Sequence, residues 1–147
     1  GVIHYWRDYK RGGPDFYKNV IAIWLSKPKL VNYAINLNSP SLENYKYAWI
    51  DASISRFNRQ RKNWDFRKIN FNDNVLSHYG SRMKYYSREL PLNASFLRAN
   101  TKTWRSIDGI FEEKLKASIN TAYAHDEETI FAHCIDENPN LFHRIDW

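Results

Sequence analysis

The chain is nearly without cysteine: Cys134 is the single one in 147 residues. No internal disulfide can form, and a reducing, cytoplasmic home is the simpler expectation. Long apolar runs are missing too. None approaches the roughly 20 residues of a membrane span, so no transmembrane segment is expected. The start, at Gly1, carries no signal-peptide pattern. Glycine-rich motifs are absent. There is no G-x-x-x-x-G-K-[ST], G-x-G-x-x-G or G-x-S-x-G, which argues against P-loop, dinucleotide and hydrolase-elbow chemistry. No HExxH or CxxC spacing occurs, and no repeat or low-complexity tract interrupts the chain.

What is present is basic and aromatic. The net charge is +6 and aromatic residues make up 16%, against 43% hydrophobic residues overall. That composition fits one globular domain over residues 1–147 and an anionic or ring-bearing partner, whether nucleic acid, phosphorylated sugar or membrane surface. The densest basic segment is SRFNRQRKNWDFRK, residues 55–68. Arg56, Arg59, Arg61 and Lys62 could line an RNA groove with Phe57 and Trp64 as stacking platforms, or neutralise a diphosphate, or form a solvated loop. No RNP, KH or zinc-knuckle signature accompanies them, so nucleic acid is the weaker of the first two.

The patterning predicts an α/β chain. NVIAIWL, residues 19–25, reads as a buried strand. Ser26 then suits an N-cap, Pro28 a first helical turn, and Leu30, Tyr33, Ala34 and Leu37 recur at helical spacing up to Asn38. YKYAWIDAS is the next strand. Strand, helix, strand is the grammar of a parallel sheet, which predicts a mixed, mostly parallel sheet flanked by helices. Short strands are expected around 83–87 and 93–98. A long helix is expected from Thr101, with Trp104, Ile107, Phe111, Leu115 and Ile119 as its apolar stripe. A last helix starts at Asp126, with Glu127 and Glu128 in its first turn and Pro139 past its end.

Three groups of residues could carry chemistry. Asp51 ends the strand of Tyr47, Ala48, Trp49 and Ile50. In open parallel sheets ligands bind outside the carboxyl ends of strands, and a carboxylate there can hold a divalent metal that grips a diphosphate. The competing reading is a turn aspartate. Asp126, Glu127 and Glu128 either satisfy a helix N-terminus or provide a general base. Of the histidines, His125, His133 and His143 lie near acids without a metal-ligand spacing, and His143 is expected in a loop after the last helix. Cys134, among Phe131, Ala132 and Ile135, reads as a small buried hydrophobe.

Three blocks stand in order: IWLSKPKLVNYAINLN, YAWIDASISRF and DEETIFAHCIDENPNLF. With NASFLRANTKTWRSIDGIFEEKL between the last two, they resemble the HtrL/YibB-type family of GT-A-like glycosyltransferases, over roughly residues 17–147. The resemblance implies transfer of a sugar from a nucleotide donor to a cell-surface glycan or lipopolysaccharide acceptor, at the cytoplasmic side and in peripheral contact with the inner membrane. It implies donor binding by Lys27, Trp49 and Arg56, and a Mn or Mg ion at Asp51 with His143. Ser53 stands where the second acid of a D-x-D motif would be. Asp126 and Glu127 match the late acidic pair near the acceptor and are the implied catalytic residues. Such a domain opens with a nucleotide-binding strand for which residues 1–18 show no counterpart, so a fragment of a longer domain is expected. The rival expectation is a non-catalytic glycan- or RNA-binding basic-aromatic module.

Overall fold

A computed structural model describes residues 2–38, 45–52, 69–81, 84–85, 88–119 and 126–145, with the backbone alone for 2–11, 84–85 and 88. Helix α1 runs Val2–Leu25 and α2 runs Lys27–Leu37. Six strands follow or interleave: β1 Lys46–Ile50, β2 Leu76–Tyr79, β3 Lys84–Tyr85, β4 Arg88–Glu89, β5 Asn93–Asn100 and β6 Phe142–Arg144. Helix α3 is Thr101–Ser118 and α4 is Glu127–Glu137, with a 3-10 turn at Pro139–Leu141 before β6.

Residues 19–25 are helical and not the expected strand. A short run of six apolar residues after Asn19 has no periodicity to separate a strand from a helix segment, and here it continues the helix that restarts after Gly13. Gly13 is where α1 breaks, at φ 76°, a conformation open to glycine and strained for other residues, and Pro14 begins the second half. Ser26 links α1 to α2: its N–H donates to the carbonyls of Ala22 and Ile23, both at 3.1 Å. Its hydroxyl donates back to Ala22 at 2.6 Å, so it does not cap α2.

With that strand gone, the strand–helix–strand unit is gone as well. The main sheet is mixed, in the order β1-β5-β2-β6. β5 pairs antiparallel with β1 and with β2, and β2 pairs parallel with β6. The expectation of mostly parallel pairing is therefore corrected: one ladder of three is parallel. β1, β2 and β6 nevertheless point the same way, because the single reversed strand, β5, separates β1 from β2.

The helices cover one face. Val31 and Ile35 of α2, Trp104, Ile107 and Phe111 of α3, and Ile130, Phe131 and Cys134 of α4 share a core with Leu76, Leu97 and Ala99. The buried face of α2 is set by Lys27, Val31 and Ile35, spaced by four, together with Pro28 and Asn32. Leu30, Tyr33 and Leu37, the expected stripe, are exposed. Trp104 anchors α3 to the sheet edge, its indole donating to the Tyr47 carbonyl at 3.0 Å. The opposite face carries a smaller cluster of Tyr79, Phe96 and Ile145, joined by Ile69 and Phe71. Ala94 and Leu97 face the same core although three apart, so β5 slips between them, and the β2 pairing shifts register between His78 and Tyr79.

Candidate functional site

Two charged residues lie on apolar helix stripes. Lys27 begins the stripe of α2, and Glu127 begins that of α4, in line with Ile130, Phe131 and Cys134. Packing both helices on the same sheet face drives the two charges together inside the protein. The Lys27 ammonium is 2.7 Å from Glu127 Oε1, 3.2 Å from Asp51 Oδ1 and 3.0 Å from the Ala94 carbonyl. Its side chain is 1% exposed. An ammonium has three hydrogens, and three acceptors surround this one. Lys27 thus ties α2 to β1, β5 and α4 at one point.

Asp51 sits at the carboxyl end of β1, its N–H donating to the Ser95 carbonyl at 2.9 Å. Its carboxylate is fixed from two sides, by Lys27 and by the Trp49 indole, which donates to Oδ1 at 2.6 Å. The Lys27 ammonium also lies 5.6 Å from the centre of the Trp49 ring. Asp51 is 26% exposed, unlike its partner Lys27. A carboxylate has about four lone-pair directions, so these two donors do not exhaust them, and the carboxylate is partly open to water.

The three acids at the start of α4 divide their work. Asp126 caps the helix: Oδ1 accepts from the Thr129 N–H at 2.9 Å and from its hydroxyl at 2.8 Å. Glu127 is buried against Lys27. Burial pushes its carboxyl above the usual range, against the lowering pull of Lys27. Glu128 accepts the Ala94 N–H on Oε1 and the Ser81 hydroxyl on Oε2, each at 3.0 Å. Burial pushes it up to about 7, with Glu127 and Asp126 adding to the rise and the bond from Ala94 opposing it.

Of the residues expected at a site, Lys27, Trp49, Asp51 and Glu127 come together. Asp126 is adjacent through the chain but engaged in its cap. Lys27, implied to bind the donor, is engaged by Asp51, Glu127 and the Ala94 carbonyl. Of the implied catalytic pair, Glu127 is buried with Oε1 on Lys27, and Asp126 is buried with Oδ1 in the helix cap. His143 lies in β6 and not in a loop. β1 and β6 are the two outer strands of the sheet, so Asp51 and His143 stand about three strand spacings apart, roughly 14 Å, too far to share one ion. At Asp51 an ammonium and an indole N–H already approach the carboxylate, which suits a further hydroxyl donor and disfavours a bare divalent cation. Among the described residues no three His, Cys, Asp or Glu side chains are grouped to hold a metal. Arg56, like Ser53, Phe57, Arg59, Arg61, Lys62, Trp64 and His125, lies outside the described residues.

The sequence points to Glu128 only as one of three acids at the start of α4, outside the residues implied by the resemblance, and it gives no sign of Ala94 and Ser81. The run of three acids before an apolar stripe does not say which acid turns toward β5. Cys134 is buried, and burial pushes its thiol up to about 12, as a packed cysteine should behave. No helix among the described residues is long and apolar enough to cross a membrane. Comparison with known protein families, with curated proteins and with solved structures finds no match.

Proposed function

We propose that the chain carries part of a GT-A-like glycosyltransferase core of the HtrL/YibB type, moving a sugar from a nucleotide donor to a surface-glycan or lipid-linked acceptor at the cytoplasmic face of the membrane. The observation that carries this reading is Asp51. It is a carboxylate at the end of a strand, fixed by Lys27 and Trp49 and still partly exposed to solvent. A carboxylate held rigidly in that way suits the hydroxyls of a sugar or ribose, because the bond is charge-assisted and the carboxylate is already oriented. Retaining three ionisable groups in a packed core also needs a reason, since apolar residues of similar volume would often serve stability as well or better. A metal ion would supply stabilisation of the leaving diphosphate, and the described residues do not by themselves group three ligands for it.

The test is thermal stabilisation by a panel of nucleotide sugars, with and without Mn or Mg. One donor should raise the melting temperature, by the equivalent of about 2.7 kcal/mol at a concentration of 100 times its Kd. Asp51→Asn should abolish the effect while leaving the circular dichroism spectrum unchanged. Silence for every nucleotide sugar overturns the reading. A second reading is favoured by the pairing of Lys27 with Glu127 and the use of Asp126 as a helix cap: a glycan-binding module that does not catalyse transfer. It predicts stabilisation by free oligosaccharides and none by nucleotide sugars.

A further inference from the structure

Ala94 is gripped from two sides. Its N–H is held by Glu128 and its carbonyl by Lys27, and the same Lys27 holds Asp51. Ala94 is buried at the place where β5 slips, so its backbone is fixed there by these two side chains and by the neighbouring ladder. We propose that Glu128 is a positioning residue for Asp51, acting through Ala94 and Lys27, so that the protonation state of Glu128 sets how the site carboxylate is held. Its importance to ligand binding rests on the reading of Asp51 given above; the coupling itself is a property of the ligand-free protein.

The chemistry follows from the two bonds Glu128 accepts. An ionised carboxylate makes a charge-assisted bond to the Ala94 N–H, roughly twice as strong as a neutral one. A proton on Oε2 removes that charge, and the Ser81 hydroxyl, which donates to the carboxylate, must then turn to accept. The charge balance around Lys27 changes at the same step. The groups facing Glu128 are defined on each side. Asp126 and Glu127 of its own helix repel its charge. α2 supplies Lys27, which is paired with Glu127, and the end of β1 supplies Asp51, which is reached through Lys27. β5 and the turn after β2 supply the uncharged Ala94 N–H and Ser81 hydroxyl, and β6 supplies Arg144, whose guanidinium lies against Gly80 beside Ser81. From α3, Lys114 pairs with Glu137 at the far end of α4, and from α1 the described charges Asp15 and Lys18 pair with each other.

The Trp49 indole N–H, bonded to Asp51, is the reporter. Its resonance in a nitrogen–proton correlation spectrum of the ligand-free chain, assigned by its disappearance in Trp49→Phe, should move with pH with a midpoint near 7. In Glu128→Gln that midpoint should vanish while the rest of the spectrum stays folded. Ser81→Ala removes a bond to the ionised form and should move the midpoint upward, which keeps the proposal testable if Glu128→Gln does not fold. An indole signal that does not titrate near 7, or one whose midpoint survives Glu128→Gln or is unmoved by Ser81→Ala, overturns it. Because no ligand is present, these outcomes are independent of the nucleotide-sugar test.

Discussion

At the scale of single residues, Lys27 is the position on which most depends. Its neighbours Glu127 and Asp51 are carboxylates that share it, and Glu127 is almost wholly shut off from water. Lys27→Met would leave two carboxylates facing each other without a cation. Loss of one partner from a buried ion pair typically costs about 3–5 kcal/mol, and that loss is expected here, measured as the change in unfolding free energy from urea titration. Adding Glu127→Gln should restore a large part of it, because the uncompensated buried charge is then removed. A double variant no more stable than Lys27→Met alone would show that Glu127 is not the group Lys27 compensates. The cluster was half legible in the sequence. Asp51 shows itself by ending an apolar strand. Lys27 and Glu127 show themselves only once their helices' buried faces are known, as charges placed at helical spacing among Val31 and Ile35, and among Ile130, Phe131 and Cys134. With the face of α2 assigned instead to Leu30, Tyr33 and Leu37, Lys27 falls off the expected stripe, and its expected donor-binding role rests on the family resemblance alone.

At the scale of elements, the helices differ in how their first turns are satisfied. Asn100 caps α3 by accepting the Thr103 N–H at 2.8 Å, and Asp126 caps α4 through Thr129. Ser26 precedes α2 but turns its hydroxyl to the previous helix. The sequence marks all three positions with a capping residue type. Only the chain entering α2 from another helix, and not from a loop, makes Ser26 an exception. Asp126→Ala should therefore cost about 1–2 kcal/mol in unfolding free energy, and Ser26→Ala should cost less than about 0.5 kcal/mol, the usual scale for a substitution that removes no such feature. Equal losses at the two positions would contradict the assignment. β1, β5, α3 and α4 were legible for the same reason as the caps: each has a period, a boundary signal or both. β2 was not. Its four residues Leu76, Ser77, His78 and Tyr79 are all buried, so there is no alternation to read, and two of them are polar.

At the scale of the whole molecule, two buried groups set opposing responses to pH. Burial pushes Glu128 up to about 7 from 4.5, so the folded chain keeps a proton that the unfolded chain has released. Its contribution to stability is complete below pH 4.5 and is lost as pH rises to about 7. His78 behaves in reverse. Burial lowers it to about 4 from 6.5, against the raising effect of its bond to the Tyr79 carbonyl, with Arg144 and His143 lowering it further. The unfolded chain therefore takes up a proton that the folded chain refuses, and stability is lost as pH falls from 6.5 toward 4. Each group alone gives a slope of up to about 1.4 kcal/mol per pH unit, with opposite sign over the shared window from 4.5 to 6.5. In the wild-type chain the two slopes oppose each other across that window, and the Glu127 and Asp108 carboxyls, both raised by burial, add to the Glu128 side. Glu128→Gln, whose amide can still meet Ala94 and Ser81, should make the slope of stability with pH more positive than the parent's. His78→Asn, which can keep a donor on the Tyr79 carbonyl, should make it more negative. The slopes decide the matter, whatever each substitution costs in packing. If both variants keep the parent's slope, neither group carries the linkage. If only Glu128→Gln changes slope, the acid is balanced by some group other than His78. Asp73 adds a separate fall at lower pH: burial would raise it, but bonds from Lys46 and Arg98 outweigh burial and hold it below 3.8, so its contribution is present above that value and disappears as acid protonates it.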